Sequence, residues 1–270
     1  MALKDIFSIS TGVKRVLFVV ILITLGIILF SFNYYRGINR SIDPRVVEGK
    51  KAFGTYGKLM AADNQDEALK VLDKIEAVYK SVPGYENSFE LGVVNVNKGH
   101  IYLVKVETEH LSETKTIVKE NLALFLKFAR EYTEKGVANY KNWIATTGKL
   151  NDAEIEDYLN KYFKRDDPAF KGYDFDTIFD KRFKEIKEAQ VEIDRRLSVS
   201  YTNLGVILRY EEKPLESKEY YEKALKLWPE NPYAENNLRV LHGQKIKKRT
   251  IVEQMFPKER IEEAKANMKK

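Results

Sequence analysis

The chain has no cysteine among its 270 residues, only three histidines and only seven prolines. Without cysteine there is no disulfide framework, no thiolate metal site and no thiol nucleophile. The histidines, His100, His110 and His242, are widely separated, and no HExxH or similar metal-ligand spacing occurs. No GxGxxG, GxxxxGK[ST] or GxSxG is present, which removes the common nucleotide-binding loops and the serine elbow. Few prolines and a composition that is 32% charged indicate a mainly helical chain. The expectation is a protein without catalysis, cofactor or metal; an enzymatic site would have to lie in 112–197, where no recognised set of residues converges.

Charge is absent altogether from one stretch. Val16–Tyr35 holds 20 uncharged residues, about 30 Å as a helix, the thickness of a bilayer core. Lys14 and Arg15 flank one end and Arg36 and Arg40 the other, with Phe32, Tyr34 and Tyr35 placed for an interfacial aromatic belt. No small-x-small cleavage site follows, so the run reads as a retained transmembrane anchor rather than a cleaved signal peptide. Basic residues lie on both sides and leave orientation open. A short tail, one apolar run and a long remaining chain is the layout of an uncleaved signal anchor, which predicts a cytoplasmic amino terminus and an extracytoplasmic, periplasmic domain.

The net charge of +6 is unevenly placed. Residues 1–51 hold 8 basic and 3 acidic side chains, and residues 243–270 hold 9 and 4, which leaves the middle at −4. A mildly acidic domain argues against nucleic acid as a partner. The acidic cluster Asp166, Asp167, Asp174, Asp176 and Asp180 lacks the glycine and terminal glutamate order of a calcium loop, and reads as helix caps and solvated surface.

The strongest local pattern runs from Ser198 to Glu230. Tyr201, Leu204, Gly205 and Leu208 recur on one helical face, Glu211–Pro214 breaks the helix, and Ser217, Tyr221 and Ala224 follow at helical spacing before Pro229. This unit resembles the tetratricopeptide (TPR) repeat of about 34 residues. Tyr201, Leu204 and Gly205 match the family's opening, Ser217, Tyr221 and Ala224 its small–aromatic–small series, and Pro229 its closing proline; Leu208 stands where a Tyr is usual. The resemblance implies an all-α, TPR-like α-solenoid of antiparallel helix pairs, here behind a single N-terminal transmembrane helix.

Two further units are expected. Val46 to about Val82 reads as a degenerate hairpin around the Ala62-Asp63-Asn64 turn. Glu86 to about Leu111 carries Leu91-Gly92, an echo of Leu204-Gly205, with a turn expected at Gly99; a strand over His100–Val106 competes with the helical reading. The two Leu-Gly pairs lie 113 residues apart, not a multiple of the repeat. Residues 112–197 therefore form an irregular helical middle: a long helix from about Ile117 past Tyr140, a turn at Thr146–Gly148, a helix capped by Asn151 and Glu154, and a long helix into the repeat. Tyr233–Leu241 caps the stack.

The organisation is a tail at 1–15, the membrane helix at 16–35, a polar linker at 36–45, the TPR-like domain at 46–242 with its clearest repeat at 198–231, and a basic tail at 243–270 for which Lys245–Arg249 suggests anionic lipid or an acidic partner. The resemblance implies a groove lined by first helices of successive pairs that holds an extended peptide or partner helix. It places Asn203, Val206, Arg209 and Tyr210 there, with Asn237 repeating Asn203 one unit later. The competing role for Asn203 is a bridge within the stack. The functional expectation is a membrane-anchored scaffold or adaptor for protein partners at a membrane complex. The alternatives are a self-assembling structural component, such as a flagellar motor scaffold, and a translocon-associated chaperone-like protein.

Overall fold

The chain folds into helices wherever its apolar residues recur every three to four positions. A computed structural model describes residues 11–111 and 118–249. Among the described residues there are nine α-helices and no strand: α1 (Thr11–Arg40), α2 (Val47–Ala61), α3 (Gln65–Ser81), α4 (Phe89–Leu111), α5 (Val118–Thr146), α6 (Asp152–Tyr162), α7 (Phe175–Tyr210), α8 (Pro214–Leu227) and α9 (Pro232–Leu241). A single 3₁₀ turn, Pro168–Phe170, lies between α6 and α7. Ile117, the tails before Thr11 and beyond Arg249, and the side chains of Lys14, Phe32, Tyr34, Tyr35, Arg36, Arg40 and His110 lie outside the described residues.

Local chemistry sets the helix starts. Asn151 accepts from the Glu154 backbone and Glu154 returns a bond to the Asn151 backbone, the reciprocal capping box expected there. Asp174 caps α7, Asp167 caps the 3₁₀ turn, and Asp176 pairs with Arg165, so three of the five residues of the acidic cluster serve as caps or surface pairs. Pro214 and Pro232 sit in the first turns of α8 and α9, where a missing N–H costs nothing.

Antiparallel packing joins α2 to α3, α4 to α5 and α7 to α8, with α3 against α4, α5 against α7, and α9 closing on α8 and α7. One contact recurs in all three pairs: a glycine on the first helix meets a tyrosine ring on the second. A Cβ on Gly49 would lie 3.0 Å from the Tyr79 ring, one on Gly92 2.2 Å from Tyr140, and one on Gly205 2.4 Å from Tyr221. Tyr79, Tyr140 and Tyr221 are among the largest fully buried side chains, so each ring fills the space its glycine leaves open.

Two boundaries differ from the sequence expectation. Gly99 is not a turn; it lies within α4, facing Thr133 and the Ala129 carbonyl of α5, where the two helices approach closely. The partner of α4 is therefore the long α5. His100–Val106 is helical, which settles the strand alternative. The first helix of the clear repeat begins at Phe175 rather than near Ser198, because α7 runs 36 residues without a break.

The described apolar side chains of α1 from Val16 to Phe30 all stand exposed. Side chains are described without a break only from Arg15 to Ile28, fewer than the ~18 residues a span needs. Among the described residues no helix is long and apolar enough to cross a membrane. The expected linker is only partly a linker: α1 continues to Arg40, and Ser41, Asp43 and Val46 are buried. Arg45 explains the burial. Its guanidinium pairs with Asp43 at 2.8 Å, donates to the Tyr162 carbonyl, and packs over Phe163 and Phe170 at 4.5 and 4.7 Å. Those contacts clamp the segment after α1 onto the α6 end of the domain.

Candidate functional site

Four of the five residues expected in a groove come together. Asn203, Val206 and Arg209 of α7 and Asn237 of α9 line one cleft of about 440 Å³, closed on its other side by α4. The size lies within the range of ligand pockets. On α7 the lining repeats at helical spacing through Val199, Thr202, Asn203, Val206 and Arg209. On α4 Val96, His100, Leu103 and Glu107 form a matching stripe, with Asn97 and Val104 beside it. Buried Asn231 and the exposed ring of Tyr233 complete the lining.

Tyr210 is the exception. It is half-buried against the hydrophobic core and does not line the cleft. One step past Arg209 turns the helix by about 100°, so Arg209 faces the cleft while Tyr210 turns inward. Burial there raises the Tyr210 pKa, with the Glu107 carboxylate adding to the effect.

The polar groups divide into those already bonded and those left open. Arg209 Nη1 donates to Asn237 Oδ1 at 2.8 Å, and Asn237 Nδ2 donates to the Tyr233 carbonyl at 2.8 Å. This chain fixes the guanidinium at the α7–α9 corner, where it also engages the Tyr210 side chain, 5.8 Å from the ring centre. Asn231 Nδ2 donates to Ser198 Oγ at 2.8 Å and to Thr202 Oγ1 at 3.0 Å, while its Oδ1 accepts from the Tyr233 and Ala234 backbones. By contrast, the side-chain amides of Asn97 and Asn203 make no hydrogen bond among the described residues. Each offers a donor and an acceptor on opposite walls above Val96, Val199 and Val206.

Arg209 forms no ion pair among the described residues. His100 is accessible on the α4 wall; crowding by the concave surroundings lowers its pKa, and Glu107 works weakly against that shift. Among the described residues no three His, Asp or Glu side chains gather as a metal ion would need.

Sequence reasoning did not reach Asn97, His100, Glu107 or Tyr233. Carrying the Leu-Gly register from α7 to α4 sets Glu90 against Asn203 and Val93 against Val206, and neither lines the cleft. The α4 wall lies further along its helix because α4 and α5 are long and meet α7 off register. Glu90 instead pairs with Arg182 at 2.6 Å.

No protein-family model matches the chain, and no curated protein matches it.

Proposed function

We propose that this chain is a membrane-anchored, TPR-like adaptor that holds an extended segment of a protein partner in the cleft between α4, α7 and α9. The observation that carries this reading is the pair of amides, Asn97 and Asn203, that make no hydrogen bond among the described residues, set on opposite walls of the cleft beside Arg209, a cation with no ion pair among the described residues. An extended backbone presents alternating N–H and C=O groups, and such amides satisfy both. The three glycine–tyrosine pairs support the TPR-like part of the reading, since each matches the close first-helix to second-helix approach of the Gly205–Tyr221 unit.

The anchor is Val16–Tyr35 within α1, supported by the exposure of its described apolar side chains. Exposed apolar helix surface of that extent is costly in water and favourable in lipid. Tethering confines the cleft to a layer beside the bilayer, where effective concentration lets modest contacts hold a partner. No catalytic step, cofactor or nucleic acid enters this function, and the domain lies on the extracytoplasmic side.

A photoreactive residue at position 209 of the full-length protein in its native membrane tests the reading. A distinct protein should be captured, and Asn203→Asp, which removes the amide donor and adds a charge, should abolish the capture. Crosslinks solely between copies of the chain would replace the adaptor with a self-assembling scaffold.

A further inference from the structure

Among the described residues that line the cleft, two carry charge, Glu107 of α4 and Arg209 of α7, and they stand at the same end of it. Glu90, in the first turn of α4, pairs with Arg182 of α7 at 2.6 Å. Further along α4, the Glu107 carboxylate helps to raise the pKa of Tyr210, the last residue of α7. The two helices therefore run side by side in the same direction, which brings Glu107 across the cleft from Arg209. Glu107 is exposed, and its carboxylate makes no hydrogen bond or ion pair among the described residues. Arg209 is tied to Asn237 Oδ1 at 2.8 Å and to the Tyr210 ring, which keeps its guanidinium on the α7–α9 side rather than folded onto Glu107. His100, between Asn97 and Glu107 on the α4 wall, adds no charge at neutral pH because its surroundings lower its pKa.

We infer that the partner's segment carries an acidic and a basic residue side by side, the acid facing Arg209 and the base facing Glu107, followed along the cleft by small or apolar residues. This rests on the cleft being a site for extended peptide. Side chains of an extended strand alternate between opposite faces, so two neighbours in sequence reach the α7 and α4 walls at one level. The walls set the length. Val96 to Glu107 and Val199 to Arg209 each rise about 15–17 Å along their helices, which about five extended residues match. Away from the charged end, Val96, Leu103, Val199 and Val206 face the occupant, while Asn97 and Asn203 are placed for its backbone. The two charges also reject. A segment with two acids sets one against Glu107, and one with two bases sets one against Arg209, and like charges brought together in an interface cost affinity.

A photoreactive phenylalanine in place of the exposed Tyr233, in the full-length protein in its native membrane, leaves both charges and both amides intact. Mass spectrometry of the crosslinked peptide then reads the captured segment, which should hold an adjacent acid–base pair within about five residues of the crosslink. Glu107→Lys and Arg209→Glu should each lower capture about tenfold or more by setting like charges together. The two reversals combined should recover capture to within about threefold, because a half-turn of the strand about its own axis exchanges the two side chains between walls. Glu107→Gln and Arg209→Gln, which remove charge without repulsion, should each lower it about threefold. Three results overturn the inference and leave the adaptor standing: a captured segment without acid–base neighbours, unchanged capture in the two neutral variants, or single-reversal losses that persist in a double variant of normal helicity. No captured protein with the probe at 233 or at 209 sinks the adaptor, and this inference with it.

Discussion

The amino-terminal pairs and the carboxy-terminal pair share the glycine–tyrosine contact and differ in how they tie helix to helix. In the amino-terminal half the ties are buried charges. Glu76 of α3 receives Lys80 at 2.7 Å, Lys98 of α4 at 2.5 Å and Lys135 of α5 at 2.9 Å, which joins three helices through one carboxylate. Arg182 of α7, only 6% exposed, pairs with Glu90 of α4 at 2.6 Å and with Glu185, which in turn holds Lys50 of α2. In the carboxy-terminal half the buried ties are mostly neutral. Ser198 Oγ donates to the Ala224 carbonyl, Ser217 Oγ to the Gly205 carbonyl, and Asn231 bridges Ser198 and Thr202, all at 2.7–3.0 Å. Charged ties span distant helices with long side chains, whereas hydroxyl ties require backbones in near contact. The cleft has one wall on each kind of region, and its α7–α9 corner combines the neutral Asn231 bridge with the Arg209–Asn237 bond, with no carboxylate in either.

Removing one buried charge should have the largest effect. Arg182→Met leaves the Glu90 carboxylate without its cation and Glu185 with Lys50 alone, and should cost about 3–5 kcal/mol in a urea unfolding series. Adding Glu90→Leu should recover much of that loss, since the penalty is an unpaired charge rather than a lost attraction. If the single variant loses under 1 kcal/mol, the amino-terminal half is not held by charge.

Acid gives a second way to separate the halves. Burial raises the Glu76 pKa, but the bonds from Lys80, Lys98 and Lys135 outweigh it and bring the carboxyl down from 4.5 to about 2. A depressed folded-state pKa stabilises the fold above the unfolded value, and the gain is lost as pH falls from about 4.5 toward 2. The amount at stake is about 3 kcal/mol. Glu76→Gln should lower stability at neutral pH and flatten the acid limb, which unfolding midpoints between pH 6 and 2.5 would record.

The shared contact is the next largest. Gly92→Ala and Gly205→Ala each press a methyl into a tyrosine ring, at 2.2 and 2.4 Å, and should cost about 1–3 kcal/mol each. Tyr221→Leu should relieve the second by clearing the ring edge. Equal penalties would show that the long and short pairs rest on one packing device despite their different ties.

Legibility in the sequence followed the same division. The Gly205–Tyr221 contact could be read because its members lie 16 residues apart, across one short break between helices. Gly92 and Tyr140 obey the same geometry at 48 residues, and the intervening length hid the partnership. Gly99 was misread as a turn because a glycine facing Thr133 inside a helix looks the same in sequence as one that ends it. For the cleft, Asn203, Val206 and Arg209 were legible as one stripe of α7, and Asn237 as its echo. Asn97 and His100 were not, because no local pattern tells which helix lies opposite or how far it has slid.

The smallest effect tests the neutral side of the comparison. Thr202→Val keeps the side-chain shape and deletes the hydroxyl that accepts from Asn231 Nδ2 and donates to the Ser198 carbonyl. Asn231 retains Ser198 Oγ as a partner, so no amide is stranded. The cost should be about 1 kcal/mol, the net worth of a neutral hydrogen bond, and it should be the same at pH 4 and pH 7 and in low or high salt. A penalty that grows with acid would show that the hydroxyl ties lean on the buried charges. The two halves would then form one coupled network, and the cleft corner would share the pH sensitivity of Glu76.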